Sequence, residues 1–259
     1  MTAMPLVFFG HGSPTNTLET NRHTQAWRLF GASRPVPRAI LMISAHWYLP
    51  HTAVTAMPQP RTIHDFYGFP KALAEFQYPA RGDPELAQQV SRMLKPTPVS
   101  LDHEWGLDHG AWSVLAHAYP NADVPVVQLS IDSSLPAASH FDLGRRIGAL
   151  RDEGVLIAGS GNVVHNLGLL RRNESVEPYD WADQFDNRVR AAIEQSDHAS
   201  LVRYDWLGED YPLSIPTPEH YLPLIYVLGA RRPQDRLSVL TDGIELGSIS
   251  MSSYAFDAP

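Results

Sequence analysis

The chain of 259 residues contains no cysteine. That absence excludes disulfides, thiolate zinc sites, iron–sulfur clusters and a cysteine nucleophile, and leaves nitrogen and oxygen as the donors for any metal. Lysine is almost as scarce, with Lys71 and Lys95 alone, and the formal net charge is -8. An acidic balance of this kind argues against nucleic acid or anionic lipid as a partner. No stretch approaches the roughly 18 consecutive apolar residues of a membrane-spanning helix. The short apolar run from Pro5 to Phe9 lacks the basic flank of an export signal, so the cytoplasm is the expected compartment.

Several catalytic signatures are missing too. Neither lysine follows a glycine, since Lys71 comes after Pro70 and Lys95 after Leu94, so there is no phosphate-binding P-loop. The dinucleotide fingerprint fails twice: Thr15 and Val164 stand where Gly10-His11-Gly12 and Gly159-Ser160-Gly161 would need a third glycine. Ser160 has Ala158 and Asn162 two residues away instead of the glycines of a nucleophile elbow. After His103-Glu104, the second histidine of a zincin helix is replaced by Leu107.

What is present suits a folded enzyme. With 44% hydrophobic and 19% charged residues the chain can bury a full core, and no repeat or linker divides it, so one domain over residues 1–259 is expected. Apolar, β-branched runs at Leu6–Phe9, Ala39–Ile43, Val124–Ile131 and Val155–Ala158 predict buried strands. Helices are expected between them. One is capped by Asp83, with Pro84 in its first position and Leu86, Val90 and Leu94 along one face. A second runs through Ala137–Leu150, and a third carries Trp181, Phe185, Val189 and Ile193 at intervals of four. Near the end, Asp242-Gly243 between Leu237–Thr241 and Ile244–Ser250 predicts a β-hairpin with a type I′ turn. The expected fold is therefore α/β, a mixed central sheet flanked by helices. The proline-rich segments 50–70 and 96–108 are candidate walls of a site.

The functional signal lies in the 12 histidines and where they stand. His11, His46 and His165 each follow a predicted strand, in Phe-Phe-Gly-His-Gly-Ser-Pro, Ile-Ser-Ala-His-Trp and Gly-Asn-Val-Val-His-Asn. The carboxyl ends of strands are where open α/β sheets gather their sites, so three such histidines point to a mononuclear metal centre. A further ligand is expected from Pro218-Glu219-His220-Tyr221, which offers a carboxylate and an imidazole. His109 reads either as an acid/base or oxygen-positioning group or as the first residue of a helix. His64-Asp65 sits in an aromatic loop, as a substrate contact or a packed turn. His23, His51, His117, His140 and His198 have no such setting, and packing or surface roles are expected for them.

Six blocks in order now resemble one family: His11-Gly12-Ser13-Pro14, Ser44-Ala45-His46-Trp47, His64-Asp65-Phe66 with Gly68-Phe69-Pro70, Gly106-Leu107-Asp108-His109-Gly110-Ala111-Trp112, Gly161 to Asn166, and Glu219 to Leu224. Together they resemble the class III extradiol ring-cleavage dioxygenases, most closely the 4,5-DOPA dioxygenase branch. The resemblance implies one divalent metal per chain, Fe(II) for activity with Zn(II) able to occupy the same site, and as partners a small aromatic diol and O₂. It places the metal on His11, His46 and His220, with Glu219 the rival for the third position. His165 becomes either the acid/base or an additional ligand of the resting site, and His109 a group that positions oxygen or substrate. Asp65, Tyr67 and Tyr221 are candidate substrate contacts; Tyr67 stands where the family pattern has a second glycine. The competing readings are a zinc hydrolase or lyase, or a non-catalytic metal-binding protein, on the same histidines.

Overall fold

The computed structural model describes residues 3–171 and 177–259. Its centre is an eight-stranded sheet in the order β4-β3-β5-β2-β6-β1-β10-β7. The strands are β1 (Leu6–Gly10), β2 (Ala39–Leu49), β3 (Thr52–Thr55), β4 (Val99–Asp102), β5 (Val126–Asp132), β6 (Val155–Gly161), β7 (Arg236–Thr241) and β10 (Ser253–Asp257). Two short strands, β8 (Ile244–Glu245) and β9 (Ile249–Ser250), pair separately. The inner strands β5, β2, β6 and β1 are parallel, whereas β10 and β7 close one edge antiparallel, which makes the sheet mixed as expected.

Strand period and side-chain alternation explain the two faces. Leu6 and Phe8 of β1, with Leu41 and Ile43 of β2, face one core, and Val7, Phe9, Ile40 and Met42 face the other. The first face is covered by α3 (Pro84–Met93), α5 (Ala137–Ile147), α6 (Asp180–Glu194) and α9 (Leu222–Ala230) through Leu86, Leu143, Phe185 and Val227. The second is covered by α1 (Arg22–Ala32) and α4 (His109–Ala118) through Trp27, Phe30, Trp112 and Leu115. The remaining helices, α2 (Lys71–Ala74), α7 (His198–Val202) and α8 (Tyr211–Ser214), are one-turn connectors. Asp83 caps α3 as its sequence predicts, accepting the Leu86 amide at 2.9 Å. None of the described helices is long and apolar enough to cross a membrane.

Two expectations need correction. The Asp242-Gly243 turn exists, with Gly243 at φ +94°, but β7 takes β10 as its partner instead of the segment directly after the turn. Ile244–Glu245 folds onto Ile249–Ser250 because Leu246 and Gly247 supply a second turn with φ +50° and +78°. The proline-rich segments also hold strands β3 and β4, too short and polar to stand out in sequence.

The segment between β9 and β10 is rich in buried serines, and Asp186 of α6 holds it. Its oxygens accept the hydroxyls of Ser250 at 2.5 Å and Ser252 at 2.7 Å. Burial pushes the Asp186 carboxyl up to about 6, against the pull of those two hydrogen bonds. A raised acid keeps its proton in the folded state at pH values where the unfolded chain has lost it. Stability is then greatest below the unfolded value and falls as pH rises towards 6. Asp186→Asn should remove this dependence: relative to the variant, urea unfolding of the natural protein should lose up to about 3 kcal/mol between pH 4 and 7. Parallel stability curves for the two proteins would contradict the assignment.

Candidate metal centre

The parallel strands end along one edge, and each delivers a residue to the same place. β1 and β6 stay in register to Gly10↔Gly161, and the amide of His11 extends the ladder, donating to the Gly161 carbonyl at 3.1 Å. Gly12 then turns the chain at φ +60°, where a Cβ would lie 2.4 Å from Met251 Sδ. His46 lies inside β2 and not after it, within an irregular stretch: pairing with β5 jumps from Ile43↔Leu129 to Tyr48↔Ile131. The extra residues bulge out of the ladder and re-aim His46.

The other histidines come from turns packed on these strand ends. His165 follows β6, with its amide donating to Ser214 O at 3.0 Å. His220 ends a 3-10 turn immediately before α9, and its carbonyl accepts the Asn162 amide at 2.9 Å. His109 is the first residue of α4, whose N-cap Asp108 accepts the Ala111 amide at 3.1 Å.

These five imidazoles converge. Nε2 of His11 and Nε2 of His46 are 3.3 Å apart, and donor atoms of His11, His46 and His109 all lie within 4.8 Å of one another. The His220 ring centroid lies 5.5 Å from that of His11 and 5.1 Å from that of His46. His165 stacks on His220 at 3.5 Å with 6° between the planes.

The opposite ring nitrogens face oxygen atoms. Ser160 Oγ donates to Gly110 O at 2.6 Å, so its lone pair is free to accept from His11 Nδ1 at 3.0 Å. His220 Nδ1 faces Glu219 Oε1 at 3.4 Å. Asp65 serves two rings, with Oδ2 at 3.2 Å from His46 Nδ1 and Oδ1 at 2.9 Å from His109 Nδ1. A proton held on Nδ1 leaves Nε2 as the free lone pair, which is the tautomer a metal needs.

Burial, reinforced by the neighbouring imidazoles, pushes His11 and His220 well below the ordinary histidine range. Burial brings His165 down to about 4. It also lowers His109, against the opposing pull of Asp65. Asp65 itself would be raised by burial, but its hydrogen bonds to His109 and His46 hold it well below the usual carboxylate range. At neutral pH these four histidines are neutral, the form that ligates divalent metals, and the nitrogen donors of His11, His46 and His109, within 4.8 Å of one another, fit such an ion.

The cluster lies in a cavity of about 710 Å³. Phe66, Phe69, Leu170 and Ile249 line it, and Tyr67, 96% exposed, stands on its rim. His11, His46, His109, His165, His220 and Asp65 are thus brought together as a group. Tyr221 is not among the lining residues: it is buried in the core, where its hydroxyl donates to Leu201 O at 3.1 Å. Glu219 does not line the cavity either, and its Oε1 also accepts the Thr217 hydroxyl at 2.7 Å. His64 latches its loop by donating to Phe76 O at 2.9 Å. Sequence reasoning missed Ser160 and Gly110, which act on His11 from behind. Their signal was the glycine-flanked serine itself, considered only as a nucleophile.

Fold and site together define an α/β protein with a candidate divalent-metal centre. The family described as the catalytic LigB subunit of aromatic ring-opening dioxygenase matches residues 7–257, and the chain belongs to it. It is 52% identical to the 4,5-DOPA dioxygenase extradiol of Escherichia coli K12, over 97% of this chain and 94% of that protein. It is 36% identical to the Beta vulgaris protein of the same description, over 96% and 95% of the two chains. A solved structure of an uncharacterized Escherichia coli K12 protein superposes with a TM-score of 0.85 at 48% identity, covering 97% of this chain and 99% of the other.

Gly161 provides a test of how the site is built. A Cβ there would lie 2.1 Å from the His220 carbonyl oxygen, so that backbone would have to move. Gly161→Ala should weaken divalent-metal retention at least about tenfold, the scale of disturbed ligand positioning. Unchanged retention in a chelator competition would show that the close packing of β6 on His220 does not set the site.

Proposed function

We propose that the protein is an Fe(II)-dependent extradiol dioxygenase that opens the ring of a DOPA-like catechol. The observation that carries this reading is the convergence of His11, His46, His109, His165 and His220 on one cavity, at five of the blocks that resemble the family. The substrate class is supported by relatives described as 4,5-DOPA dioxygenases and by a cavity large enough for a substituted catechol.

In this reading Nε2 of His11, His46 and His220 hold the metal. Bound there, ferrous iron supplies a Lewis acid for the catechol oxygens and electron density for O₂, a role zinc does not fill. His165, neutral and stacked on His220, accepts the proton of a catechol hydroxyl; with its affinity for protons low, it returns that proton readily. His109, held by Asp65, positions oxygen or substrate from the other side. Phe66, Phe69 and Leu170 pack the ring and exclude water, and Tyr67 borders the part of the pocket that receives the side chain. The overall balance needs no external reductant. One ring C–C bond beside the diol breaks, and the two atoms of O₂ end as an aldehyde oxygen and a carboxylate oxygen.

The test is anaerobic loading with Fe(II), followed by air-saturated L-DOPA and simple catechols. Oxygen uptake with a yellow ring-opened product, absent with Zn(II) and lost in His165→Ala, is expected. No uptake with one iron bound per chain would overturn the proposal. Among ligand variants, His11→Ala, His46→Ala and His220→Ala should lose the metal, whereas His109→Ala and Glu219→Gln should still bind one equivalent. Metal loss in Glu219→Gln with retention in His220→Ala would transfer the third position to the carboxylate.

A further inference from the structure

Asp65 was a candidate substrate contact, yet both of its oxygens are occupied by protein. Oδ1 lies 2.9 Å from His109 Nδ1 and accepts the His109 amide at 3.0 Å, while Oδ2 lies 3.2 Å from His46 Nδ1. The two imidazoles it serves are themselves in contact, with centroids 3.8 Å apart. The carboxylate also sits on a fixed loop. Trp112 Nε1 donates to Ile63 O at 2.8 Å, the Ile63 amide donates to Leu107 O at 2.7 Å, and Phe66 packs edge-on against His109.

We infer that Asp65 is a positioning residue that orients His46 and His109 as one unit, so that metal retention and the placement of His109 depend on the same carboxylate. The inference rests on the reading that His46 holds the metal. Its physical basis is the count of acceptors. Two Nδ1–H groups approaching from different directions need two acceptor oxygens, which a carboxylate has and a carboxamide lacks. In Asp65→Asn one imidazole would face an NH₂ group and would have to turn. Turning His46 moves its Nε2 away from that of His11, and turning His109 moves its Nε2 out of the cavity. A carboxylate behind a ligating histidine also raises the basicity of the ring and fixes its tautomer.

The experiment is zinc binding in the absence of any catechol, by competition with a chromophoric chelator, so its result does not depend on whether the protein turns over catechols. Asp65→Asn should bind Zn(II) about 10–100-fold more weakly than the natural protein, the usual cost of losing such a partner. His109→Ala should weaken binding only a few-fold. The double variant should be weaker than the natural protein by less than the product of the two effects, because both substitutions break one shared unit. Unchanged zinc affinity in Asp65→Asn, with only a higher KM for catechols, would overturn the inference and return Asp65 to the substrate.

A second measurement on the unaltered protein guards against a variant that fails to fold. In the zinc-loaded, ¹⁵N-histidine-labelled chain, both His46 and His109 should carry their protons on Nδ1. A neutral His109 with its proton on Nε2 would show that Asp65 does not hold it, and would equally refute the proposal.

Discussion

The site depends on one buried carboxylate that reaches no metal. Asp108 is fully buried and caps α4, and three elements are pinned to it. Its Oδ1 accepts the Ser44 hydroxyl of β2 at 2.6 Å and the Ala111 amide at 3.1 Å; its Oδ2 accepts Gln128 Nε2 of β5 at 2.7 Å. Gln128 returns the contact by accepting the Asp108 amide at 3.1 Å. Burying a carboxylate is costly unless its lone pairs are satisfied, and here charge-assisted hydrogen bonds and the positive end of a helix offset that cost. The first turn of α4 is thereby locked against two strands, and this junction organises three of the histidines. His109 belongs to that turn, the Gly110 carbonyl fixes Ser160 behind His11, and Ser44 stands two residues before His46.

Close approach is the second constraint. Gly110 has no room for a Cβ, which would lie 2.5 Å from Ser44 Oγ and 2.8 Å from His46 Cδ2. Gly161 is under the same restriction against His220, as is Gly10 against the Ser252 carbonyl, at 2.7 Å. The histidines converge because backbone, and not side chain, fills the space between the elements that carry them. Imidazoles packed this way stay neutral, since each charge would be both desolvated and surrounded by others. The protonation state that binds a metal is thus a consequence of the packing.

The same packing divides the labour among carboxylates. Asp108 holds the scaffold, Asp65 faces two imidazoles, Glu219 stands behind His220, and Asp186 fixes the serine-rich wall that runs beside Gly10 and Asn162. Each is engaged by its own neighbours, and of these four only Asp65 lines the cavity.

Much of this was legible in the residues. Strand runs of two-sided apolar character predicted the buried strands of a mixed sheet, Asp83-Pro84 predicted the start of α3, and histidines near the ends of those runs predicted the side of the sheet that holds the site. Local chemistry determines those features, because a cap, a turn or a buried strand depends on residues near it in the chain. The partner of β7 and the bulge that aims His46 were decided elsewhere, by a second turn at Leu246-Gly247 and by register against β5. Tyr221 shows the same limit: its block resembles the family's site, yet its side chain points into the core. What each histidine's second nitrogen meets is likewise tertiary. Ser160 is 149 positions from His11, and Asp65 is 44 from the helix residue whose amide it accepts, so only the folded chain brings them within hydrogen-bonding distance.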